Sequence, residues 1–413
     1  MVCEIGSFVV SVDEQLELIQ SGVADIVPLT DLRKKLSEGR PLRVKFGVDP
    51  TAPDLHLGHS VPLRKLRQFQ DLGHLVVLII GDFTAQIGDP SGRNTTRPAL
   101  TAGQVAENAA TYIAQASKVL NTDQVEIHYN SEWLSQLNFT DVIKLMANFT
   151  LARTLERDDF AKRISEQQPI SLHEVLYPAA VALDSVSVNA DVEIGGTDQL
   201  FNLLTGRELM EKRGMEPQVC LTLPLLEGLD GVLKMSKSYG NYIGLTEDAN
   251  EMFGKAMSIP DELMVKYFTL ATPLAPSEVR AIEAGLADGS LHPNAVKRRL
   301  AREIVTLYHS AAEAQAAEEA FDRVFRQHEL PDDIAEFVLT TSVQAGEDGL
   351  IYLPALMQSC GLAASASEAR RLIDGGGVKL NGEALAKGAY KLPPADLTGS
   401  VIQVGRRKFA RLI

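Results

Sequence analysis

The run Val76-Val77-Leu78-Ile79-Ile80 is the feature that most constrains the fold of this chain. Five consecutive aliphatic residues predict a strand that is buried on both faces, as in a parallel sheet covered by helices. Further strand candidates cover residues 42–48, 125–129, 191–194 and 219–223, with helical patterns around 104–120, 141–146 and 199–212. Alternating strands and helices predict an α/β fold with a doubly wound parallel sheet, which binds ligands at the carboxyl ends of its strands.

The remainder of the chain has a different pattern. Beyond about residue 246 strand signals vanish, and helical patterns, including 294–309 and 311–328, continue to about 339. Residues 340–349 lack periodicity and predict a linker, whereas 365–374 predict a helix, 378–382 a strand and turn, and 401–412 a final strand. We therefore predict a catalytic domain (1–245), an all-helical domain (246–339), a linker (340–349) and a small α+β domain (350–413).

Composition limits the possible classes of protein. The net charge of -14 argues against a protein that coats nucleic acid over its whole surface, yet residues 350–413 carry nine Lys or Arg against four acids. One end of the chain is therefore expected to meet a polyanion. No apolar stretch is long enough for a membrane span, and acidic residues near the start do not fit a signal peptide, so a cytoplasmic protein is expected. Three widely spaced cysteines predict neither disulfides nor a metal site.

Two short motifs suggest polyphosphate binding. His56-Leu57-Gly58-His59 follows the loop Asp49-Pro50-Thr51 at the predicted start of a helix, where backbone N–H groups and the helix dipole attract anions. Lys234-Met235-Ser236-Lys237-Ser238 follows a turn, and its two ammonium groups could neutralise a leaving pyrophosphate. Each motif alone would more often be an ordinary surface segment. Together, in this order, they indicate activation of a carboxylate with ATP.

A second set of polar residues lies in apolar or glycine-rich surroundings. The helical stretch around residues 178–183 is so apolar that a buried carboxylate beside it needs a partner, such as a substrate hydroxyl or ammonium group. A capped helix end is an equally good explanation from the pattern alone. The residues concerned are Asp89, Tyr177, Asp184, Asp198 and Gln199.

These motifs resemble those of the bacterial tyrosyl-tRNA synthetases, a family of class I aminoacyl-tRNA synthetases. Besides the two phosphate motifs, the similarity includes residues 88–92, the segment Gly195-Gly196-Thr197-Asp198-Gln199 and residues 367–373. The last segment is similar to a ribosomal-S-four-like RNA-binding module. The resemblance covers nearly the whole chain. It implies a Rossmann-like catalytic domain, ATP with Mg²⁺ as substrate without a tightly bound cofactor or protein metal site, L-tyrosine and its tRNA as the other substrates, and a homodimer.

The resemblance also implies a role for individual residues. Thr51 and His56 would stabilise the pentacoordinate phosphorus, and His59 would help to hold the nucleotide. The pyrophosphate would be held by four cations: Lys234, Lys237, Arg93 and Arg97. The rest of the ATP site would comprise Gly47, Asp49, Gly58, Gly196, Asp198, Met235 and Ser236. Asp184 would accept the phenolic hydroxyl, Tyr177 and Asp89 would face the ammonium group, and Gln199 would lie near the carboxyl end. The tRNA would meet Arg370, Arg371, Lys379, Arg406, Arg407 and Lys408.

Two positions depart from the family pattern. Val181 stands where the family usually has a glutamine, and Lys45-Phe46 stands where one branch has Tyr-Cys and resembles the other branch. If the glutamine contacts the substrate ammonium group, its absence removes roughly 1.5 to 3 kcal/mol. Three alternatives remain. The first is a tryptophanyl-tRNA synthetase, against which the S-four-like tail and Asp184 argue. The others are a paralogue that activates a modified tyrosine and a non-catalytic RNA-binding protein derived from a synthetase.

Overall fold

The computed structural model describes residues 10–50, 54–90, 101–325, 334–339, 346, 348–405 and 408–413. The chain divides into two compact units, the first ending at Glu318 and the second running from Glu319 to Ile413. The predicted helical segment after residue 246 thus packs within the first unit. Its helix Met264–Ala271, for example, contacts the helix Leu57–Asp71. The finer division into a catalytic and a helical domain stays a prediction.

A six-stranded sheet forms the centre of the first unit. Its strands are β1 (Asp25–Val27), β2 (Arg43–Val48), β3 (Leu75–Ile80), β4 (Val125–Tyr129), β5 (Val192–Gly196) and β6 (Val219–Leu223). They lie in the order β1-β6-β5-β2-β3-β4, and all neighbours pair in parallel except the antiparallel β1 and β6. The doubly wound parallel sheet is confirmed. The short antiparallel edge strand β1 has no signal in the sequence because three residues are too few for a period.

Helices cover both faces of this sheet and continue beyond it. In chain order they are α1 (Val12–Gln20), α2 (Leu29–Ser37), α3 (Leu57–Asp71), α4 (Thr84–Ile87), α5 (Ala102–Ala116), α6 (Ser131–Leu134), α7 (Phe139–Met146), α8 (Leu151–Leu155), α9 (Asp158–Ser165), α10 (Tyr177–Ser187), α11 (Leu200–Lys212), α12 (Ala249–Ala256), α13 (Met264–Ala271), α14 (Pro276–Ala287), α15 (Pro293–Tyr308) and α16 (Ala311–Phe325). The short 3₁₀ helices include Leu172–Leu176 and Lys237–Tyr239.

Local sequence explains where the helices near the sheet edge begin and end. Helix α5 begins after Thr101, whose hydroxyl accepts from the Gln104 amide while the Gln104 side chain accepts from the Thr101 amide. Helix α10 has Pro178 in its first turn, where the missing N–H has no helical acceptor in any case. Helix α3 ends just before Gly73, which takes a φ of 86°. These signals set the residues at which α5 and α10 begin and α3 ends.

The second unit is a small α+β domain. Its strands are β7 (Glu336–Phe337), β8 (Ile351–Tyr352), β9 (Val378–Leu380), β10 (Glu383–Ala384), β11 (Lys391–Leu392), β12 (Val401–Val404) and β13 (Lys408–Leu412); its helices are α17 (Leu353–Ser359), α18 (Ala366–Asp374) and α19 (Pro394–Leu397). One sheet has the order β10-β9-β12-β13-β7, and β8 pairs with β11. Asn381 and Gly382, with φ of 49° and 87°, form the tight turn between β9 and β10.

Two expectations for this region were wrong. The predicted single strand over 401–412 is two antiparallel strands, β12 and β13, which separate at Gly405 with a φ of 61°. The expectation that no strand occurs between about residue 246 and residue 339 is also wrong, because β7 pairs in parallel with β13. A strand of two residues has no detectable period, and it is defined only by its partner more than 70 residues later in the chain.

Two expectations drawn from composition can be compared with the fold. Cys220 and Cys360 are buried free thiols, and Cys3 lies outside the described residues. Across the described part of the chain, no helix combines the length and apolar character that a membrane crossing requires.

Candidate active site

A cavity of about 390 Å³ opens at the carboxyl edge of the sheet. Strand β2 pairs with β3 on one side and with β5 on the other, so the cavity lies at the topological switch point, where α/β sheets bind ligands. Eleven of the predicted site residues form part of its wall: Gly47, Asp49, Gly58, His59, Asp89, Tyr177, Asp184, Gly196, Asp198, Gln199 and Lys234.

The other predicted residues lie elsewhere. His56 is stacked against His59, with 3.9 Å between the ring centroids, and Met235, Ser236 and Lys237 belong to the loop that follows β6. Arg370 and Arg371 lie on α18, Lys379 lies on β9 and Lys408 on β13, all exposed on the second unit. Five predicted residues are outside the described residues: Thr51, Arg93, Arg97, Arg406 and Arg407.

Asp184 is the buried carboxylate at one end of the cavity. It lies on α10 with 3% of its surface exposed, and Trp133 Nε1 donates to its Oδ1 at 2.8 Å. Asn130 Nδ2 donates to Oδ2 at 3.3 Å. Burial raises the pKa of Asp184 to about 6, although Lys45 and these two donors oppose the shift. The carboxylate is therefore mainly ionised at neutral pH, and it can accept a further hydrogen bond from a ligand hydroxyl.

Asp49, just after the end of β2, is hydrogen-bonded to residues on two other elements. Thr84 Oγ1 donates to its Oδ1 at 2.7 Å, and the hydroxyl of Tyr177 donates to its Oδ2 at 3.0 Å. A Cβ atom on Gly81 would lie 2.0 Å from Asp49 Oδ1, so only glycine leaves room for this arrangement. Desolvation, and then the negative charge of Asp89, raise the pKa of Asp49 to about 7. A bound cation would favour its ionised form.

A chain of polar contacts orients Asp89 and Gln199. Gln199 Nε2 donates to Asp89 Oδ2 at 2.9 Å, and Asn202 Nδ2 donates to Gln199 Oε1 at 2.7 Å. Arg157 NH1 in turn donates to Asn202 Oδ1 at 2.9 Å. The Arg157 guanidinium is buried and lies over the ring of Phe201, 5.5 Å from its centroid. The two polar side chains of the cavity are thus held in fixed positions from behind.

The two histidines are neutral donors rather than cations. Burial lowers the pKa of His56 to about 3, and desolvation lowers that of His59 to about 4, with Lys237 adding to both shifts. The backbone amide of His56 donates to His59 Nδ1 at 3.3 Å, which leaves the Nε2 of His59 as its N–H donor. Leu57 N donates to Ile243 O at 3.0 Å, which ties the start of α3 to the chain after the lysine loop.

The lysine loop, residues 234–238, brings cations to the same place. Lys234 lines the cavity and its charge opposes the rise in the pKa of Asp198, whose main cause is desolvation. Lys237 Nζ lies 2.5 Å from Asp54 Oδ2. Asn241 holds the loop: its Oδ1 accepts from the Ser236 amide at 2.8 Å, and its Nδ2 donates to Asp230 Oδ2 at 2.6 Å. The loop therefore has a defined base and side chains that can exchange partners.

The combination has a clear chemical meaning. Neutral imidazole donors, lysine ammonium groups and glycine-lined walls suit a polyphosphate, and the buried Asp184 suits a hydroxyl at the far end of a second ligand. The described residues contain no cluster of three or more His, Cys, Asp or Glu side chains that could hold a metal ion. Its imidazole and ammonium groups, together with Asp184, allow the site to bring together a nucleotide and a small polar ligand.

Several contributors to the site were not predicted from the sequence. Thr84 follows β3, whereas Asn130 and Trp133 follow β4, so all three come after the carboxyl end of a strand. That position in a doubly wound sheet is itself a signal. Lys45, Glu193 and Asn241 gave no comparable signal, because their importance arises from contacts across distant parts of the chain.

Comparison with known proteins agrees with this geometry. Residues 37–326 match the family model described as tRNA synthetases class I (W and Y), and residues 353–397 match the S4 domain. The chain is 53% identical over 405 residues to the tyrosine–tRNA ligase of Moorella thermoacetica, covering 97% of this chain and 96% of the relative. It is 50% identical over 407 residues to that of Geobacter metallireducens, covering 98% and 99%.

Solved structures give the same fold. Tyrosyl-tRNA synthetase from Archaeoglobus fulgidus, complexed with L-tyrosine, aligns with a TM-score of 0.62 at 24% identity, covering 74% of this chain and 99% of that one. The C-terminally truncated mitochondrial enzyme of Aspergillus nidulans aligns with a TM-score of 0.63 at 23% identity, covering 76% and 94%. Given the match over residues 37–326 and relatives about half identical over nearly their full length, the chain belongs to the class I tRNA synthetases of the tryptophan and tyrosine group.

Proposed function

We propose that this chain is a tyrosine–tRNA ligase that activates L-tyrosine with ATP and then transfers the tyrosyl group to the 3′ end of its tRNA. The observation that carries the proposal is the cavity at the switch point, where a buried carboxylate and two phosphate motifs meet. The half-identical relatives named above bear the same activity in their names. The residue assignments below are part of the proposal.

The amino acid binds with its side chain toward Asp184, which accepts the phenolic hydrogen bond. Tyr177 and Asp89 face the ammonium group, and Gln199 lies near the carboxyl end. Asp49, expected beside the ribose, is hydrogen-bonded to Tyr177. This contact supports an additional role for Asp49 as a negative charge near the ammonium group, where Val181 offers no polar side chain.

ATP binds along the glycine-lined part of the cavity. A Cβ on Gly47 would meet no protein atom within 4 Å, so this position leaves open space for a ligand. Gly196 and Asp198 line the ribose side, and Gly58, Met235 and Ser236 complete the nucleotide site. ATP is taken as its Mg²⁺ complex, with the ion carried on the phosphates.

In the first step, a carboxylate oxygen of tyrosine attacks the α-phosphorus, the bond to the bridging oxygen breaks, and pyrophosphate leaves. Thr51 and an N–H group of His56 stabilise charge on the pentacoordinate phosphorus, and His59 helps to hold the nucleotide. Lys234, Lys237, Arg93 and Arg97 neutralise the pyrophosphate. In the second step, a hydroxyl of the terminal adenosine attacks the carbonyl carbon, and AMP leaves. The protein acts by positioning and charge stabilisation, without a covalent enzyme intermediate.

The tRNA is bound in part by the basic second unit. Arg370, Arg371, Lys379 and Lys408 are exposed there, and the first three lie within the residues that match the S4 domain. Arg406 and Arg407 complete the predicted set. Such side chains contact phosphates and position the RNA.

A homodimer is the expected assembly. Large apolar side chains are exposed on four consecutive short elements, α7, α8, α9 and the 3₁₀ helix Leu172–Leu176: Phe139 (80% exposed), Ile143 (55%), Leu151 (60%), Ile164 (49%) and Leu172 (87%). Exposed apolar surface of this kind marks interaction sites. We propose that this segment contacts a second copy of the chain. Replacement of Phe139 and Leu172 by serine should then convert a dimer into a monomer by light scattering, whereas a monomeric parent protein would refute the assignment.

We place the reaction, which requires ATP and tRNA, in the cytoplasm.

The proposed function is tested by measuring whether the full chain charges tRNA with labelled tyrosine and releases AMP. Gly47→Ala, which fills space otherwise open to the nucleotide, should raise the KM for ATP without loss of folded protein. A chain that binds tRNA but neither charges it nor consumes ATP would be the non-catalytic RNA-binding protein instead.

A further inference from the structure

A buried ion pair lies directly beneath the proposed tyrosine site. Lys45 Nζ is 2.6 Å from Glu193 Oε1, and the two side chains are 0% and 3% exposed. Lys45 Nζ also donates to Ser185 Oγ at 2.9 Å and to Val181 O at 3.2 Å. Glu193 Oε2 accepts from Ser185 Oγ at 3.1 Å and from Gln218. The pair is therefore well satisfied and held on several sides.

Stability alone is a weak explanation for such a pair. Removing two charges from water is costly, and replacement of a buried ion pair by apolar residues of similar volume is often neutral or stabilising. The position of the pair beside the cavity is therefore informative about its role. Lys45 on β2 lies opposite Glu193 on β5 in the register of the sheet, and Glu193 forms part of the cavity wall.

The ammonium group of Lys45 reaches across to α10 on both sides of Asp184. Its acceptors there are the carbonyl of Val181, three residues before Asp184, and the hydroxyl of Ser185, the next residue. These contacts fix the helix turn that carries the carboxylate, and they bring a full positive charge close to it.

We propose that Lys45, held by Glu193 and Ser185, is a positioning residue that keeps Asp184 ionised and oriented to accept the phenolic hydroxyl, and that it thereby sets the preference for tyrosine over phenylalanine. The inference rests on the proposed function, in which Asp184 is the phenol acceptor.

The charges around Asp184 support this role. Burial is the main cause of its raised pKa, and Lys45 is the strongest opposing influence, ahead of the hydrogen bonds from Trp133 and Asn130. Glu193 acts in the opposite sense to Lys45. The carboxyl of Asp49 and the hydroxyl of Tyr177 are further titratable groups that interact with Asp184. Without the lysine charge, the pKa of this carboxyl would rise further, and a larger fraction of it would be protonated at neutral pH.

Ionisation matters for discrimination between substrates. Trp133 and Asn130 already donate to the two oxygens of Asp184, so an ionised carboxylate has acceptor capacity left for the phenol. A charged acceptor also forms a stronger hydrogen bond than a neutral one. Phenylalanine cannot donate this hydrogen bond, so its activation should not fall when Asp184 loses its charge.

The test compares two substitutions of opposite charge effect, Lys45→Met and Glu193→Gln, in the full-length protein. Tyrosine- and phenylalanine-dependent pyrophosphate exchange is measured from about pH 5 to about pH 9. In Lys45→Met, the acidic limb of the pH profile of kcat/KM for tyrosine should shift to a pH about one unit higher, so that activity on that limb falls about tenfold. In Glu193→Gln, the limb should shift to a lower pH. Phenylalanine rates should follow neither shift.

Lys45→Met leaves Glu193 buried without its partner and could unfold the protein. The double variant Lys45→Met with Glu193→Gln removes both charges and conserves volume. The acidic limb of the double variant should lie at a higher pH than that of the parent and at a lower pH than that of Lys45→Met, and the KM for ATP should be unchanged. A purely structural role predicts equal losses with both amino acids, and that result would overturn the inference.

Asp184→Asn separates this inference from the proposed function. If Asp184→Asn leaves the ratio of tyrosine to phenylalanine activity unchanged, the assignment of Asp184 as phenol acceptor fails. Suppose instead that Asp184→Asn lowers that ratio. The role of Lys45 alone is then refuted if the acidic limb of the folded double variant stays at the parental pH. It is also refuted if Lys45→Met and Glu193→Gln shift the acidic limb in the same direction.

Discussion

Lys237 Nζ lies 2.5 Å from Asp54 Oδ2, and this ion pair joins the lysine loop to the segment that leads into α3. Both side chains are partly exposed, at 34% and 52%, and pairs of this kind are worth at most about 1 kcal/mol. A polyphosphate with several negative charges can therefore replace Asp54 as the partner of Lys237. The two phosphate motifs are connected by a contact that is easily exchanged.

Removal of the loop cations should affect the chemical step selectively. We expect Lys234→Ala and Lys237→Ala each to lower pyrophosphate exchange by about 100-fold or more, because charge on the leaving pyrophosphate is no longer neutralised. Binding of tRNA, measured by filter retention, should remain mostly intact. Asp54→Asn is the control and should change exchange only slightly. Equal loss of exchange and tRNA binding would contradict the assigned roles.

The base of the loop should depend on Asn241. Asn241→Ala removes the hydrogen bonds to the Ser236 amide and to Asp230, each worth roughly 0.5 to 1.5 kcal/mol, so kcat for exchange should fall about tenfold while the fold persists. Gly228→Ala should have a similar effect, because its Cβ would lie 2.2 Å from Asn241 Cγ.

The matched control for Gly228 is Gly254→Ala in α12. A Cβ there meets nothing within 4 Å, and alanine in a helix interior should add up to about 1 kcal/mol of stability without change in activity. Full activity in Gly228→Ala or Asn241→Ala would rule out the loop-positioning role.

Asp191 should make stability depend on pH in the acidic range. Its desolvation is outweighed by hydrogen bonds from Arg40, the Arg43 amide and Lys35, and its pKa is lowered to about 2 from an ordinary 3.8. Because the folded-state pKa is depressed, this stabilisation is complete above about pH 4 and is lost as the pH falls toward 2. It amounts to about 2 kcal/mol.

Asp191→Asn tests this linkage and leaves Lys35 buried. We expect the free energy of unfolding at neutral pH to fall by about 3 kcal/mol, and the difference from the parent to shrink as the pH approaches 2. Urea titrations at several pH values measure both effects. Asp13→Asn, in an exposed pair with Arg33, should be silent. A pH-independent difference would show that Asp191 stabilises the fold by some other means.

The second unit should contribute to tRNA charging through phosphate contacts. Arg371→Glu and Lys379→Glu lie on α18 and β9, and both side chains are exposed. Each should weaken tRNA charging and lower the slope of log affinity against log salt by about one, yet leave pyrophosphate exchange unchanged. Glu383→Lys on the neighbouring β10 is a control for the sign of the charge. Unaltered charging in both basic-site variants would refute this surface.

The fold was predictable to the extent that local patterns define it. The aliphatic run of β3, the strand pattern of β6 and the helical pattern of α11 are local signals, and the structure contains all three elements. Strands β1 and β7 were not predictable, because two or three residues have no period and form only against a distant partner. Gly405 splits the last predicted strand through its backbone conformation, which a hydrophobic pattern does not record.

The candidate site divides in the same way. The histidine and lysine motifs and the residues around Asp184 carry chemistry in contiguous segments, and the fold brings them to one cavity. The pairing of Lys45 with Glu193 joins residues 148 positions apart, and the contact of Asn241 with Asp230 depends on how the loop folds back. Such groups act through geometry that emerges only from the folded chain.

Tyrosine as the substrate is tested most directly by pyrophosphate exchange with a panel of amino acids that includes tyrosine, phenylalanine, tryptophan and hydroxylated or otherwise modified tyrosines. We predict strong exchange with tyrosine and rejection of phenylalanine by several orders of magnitude, because phenylalanine leaves the buried Asp184 without its ligand hydrogen bond. Rejection of phenylalanine by about 10⁵ is already a known property of tyrosyl-tRNA synthetases. Exchange only with a different side chain would contradict the assignment of tyrosine as the substrate.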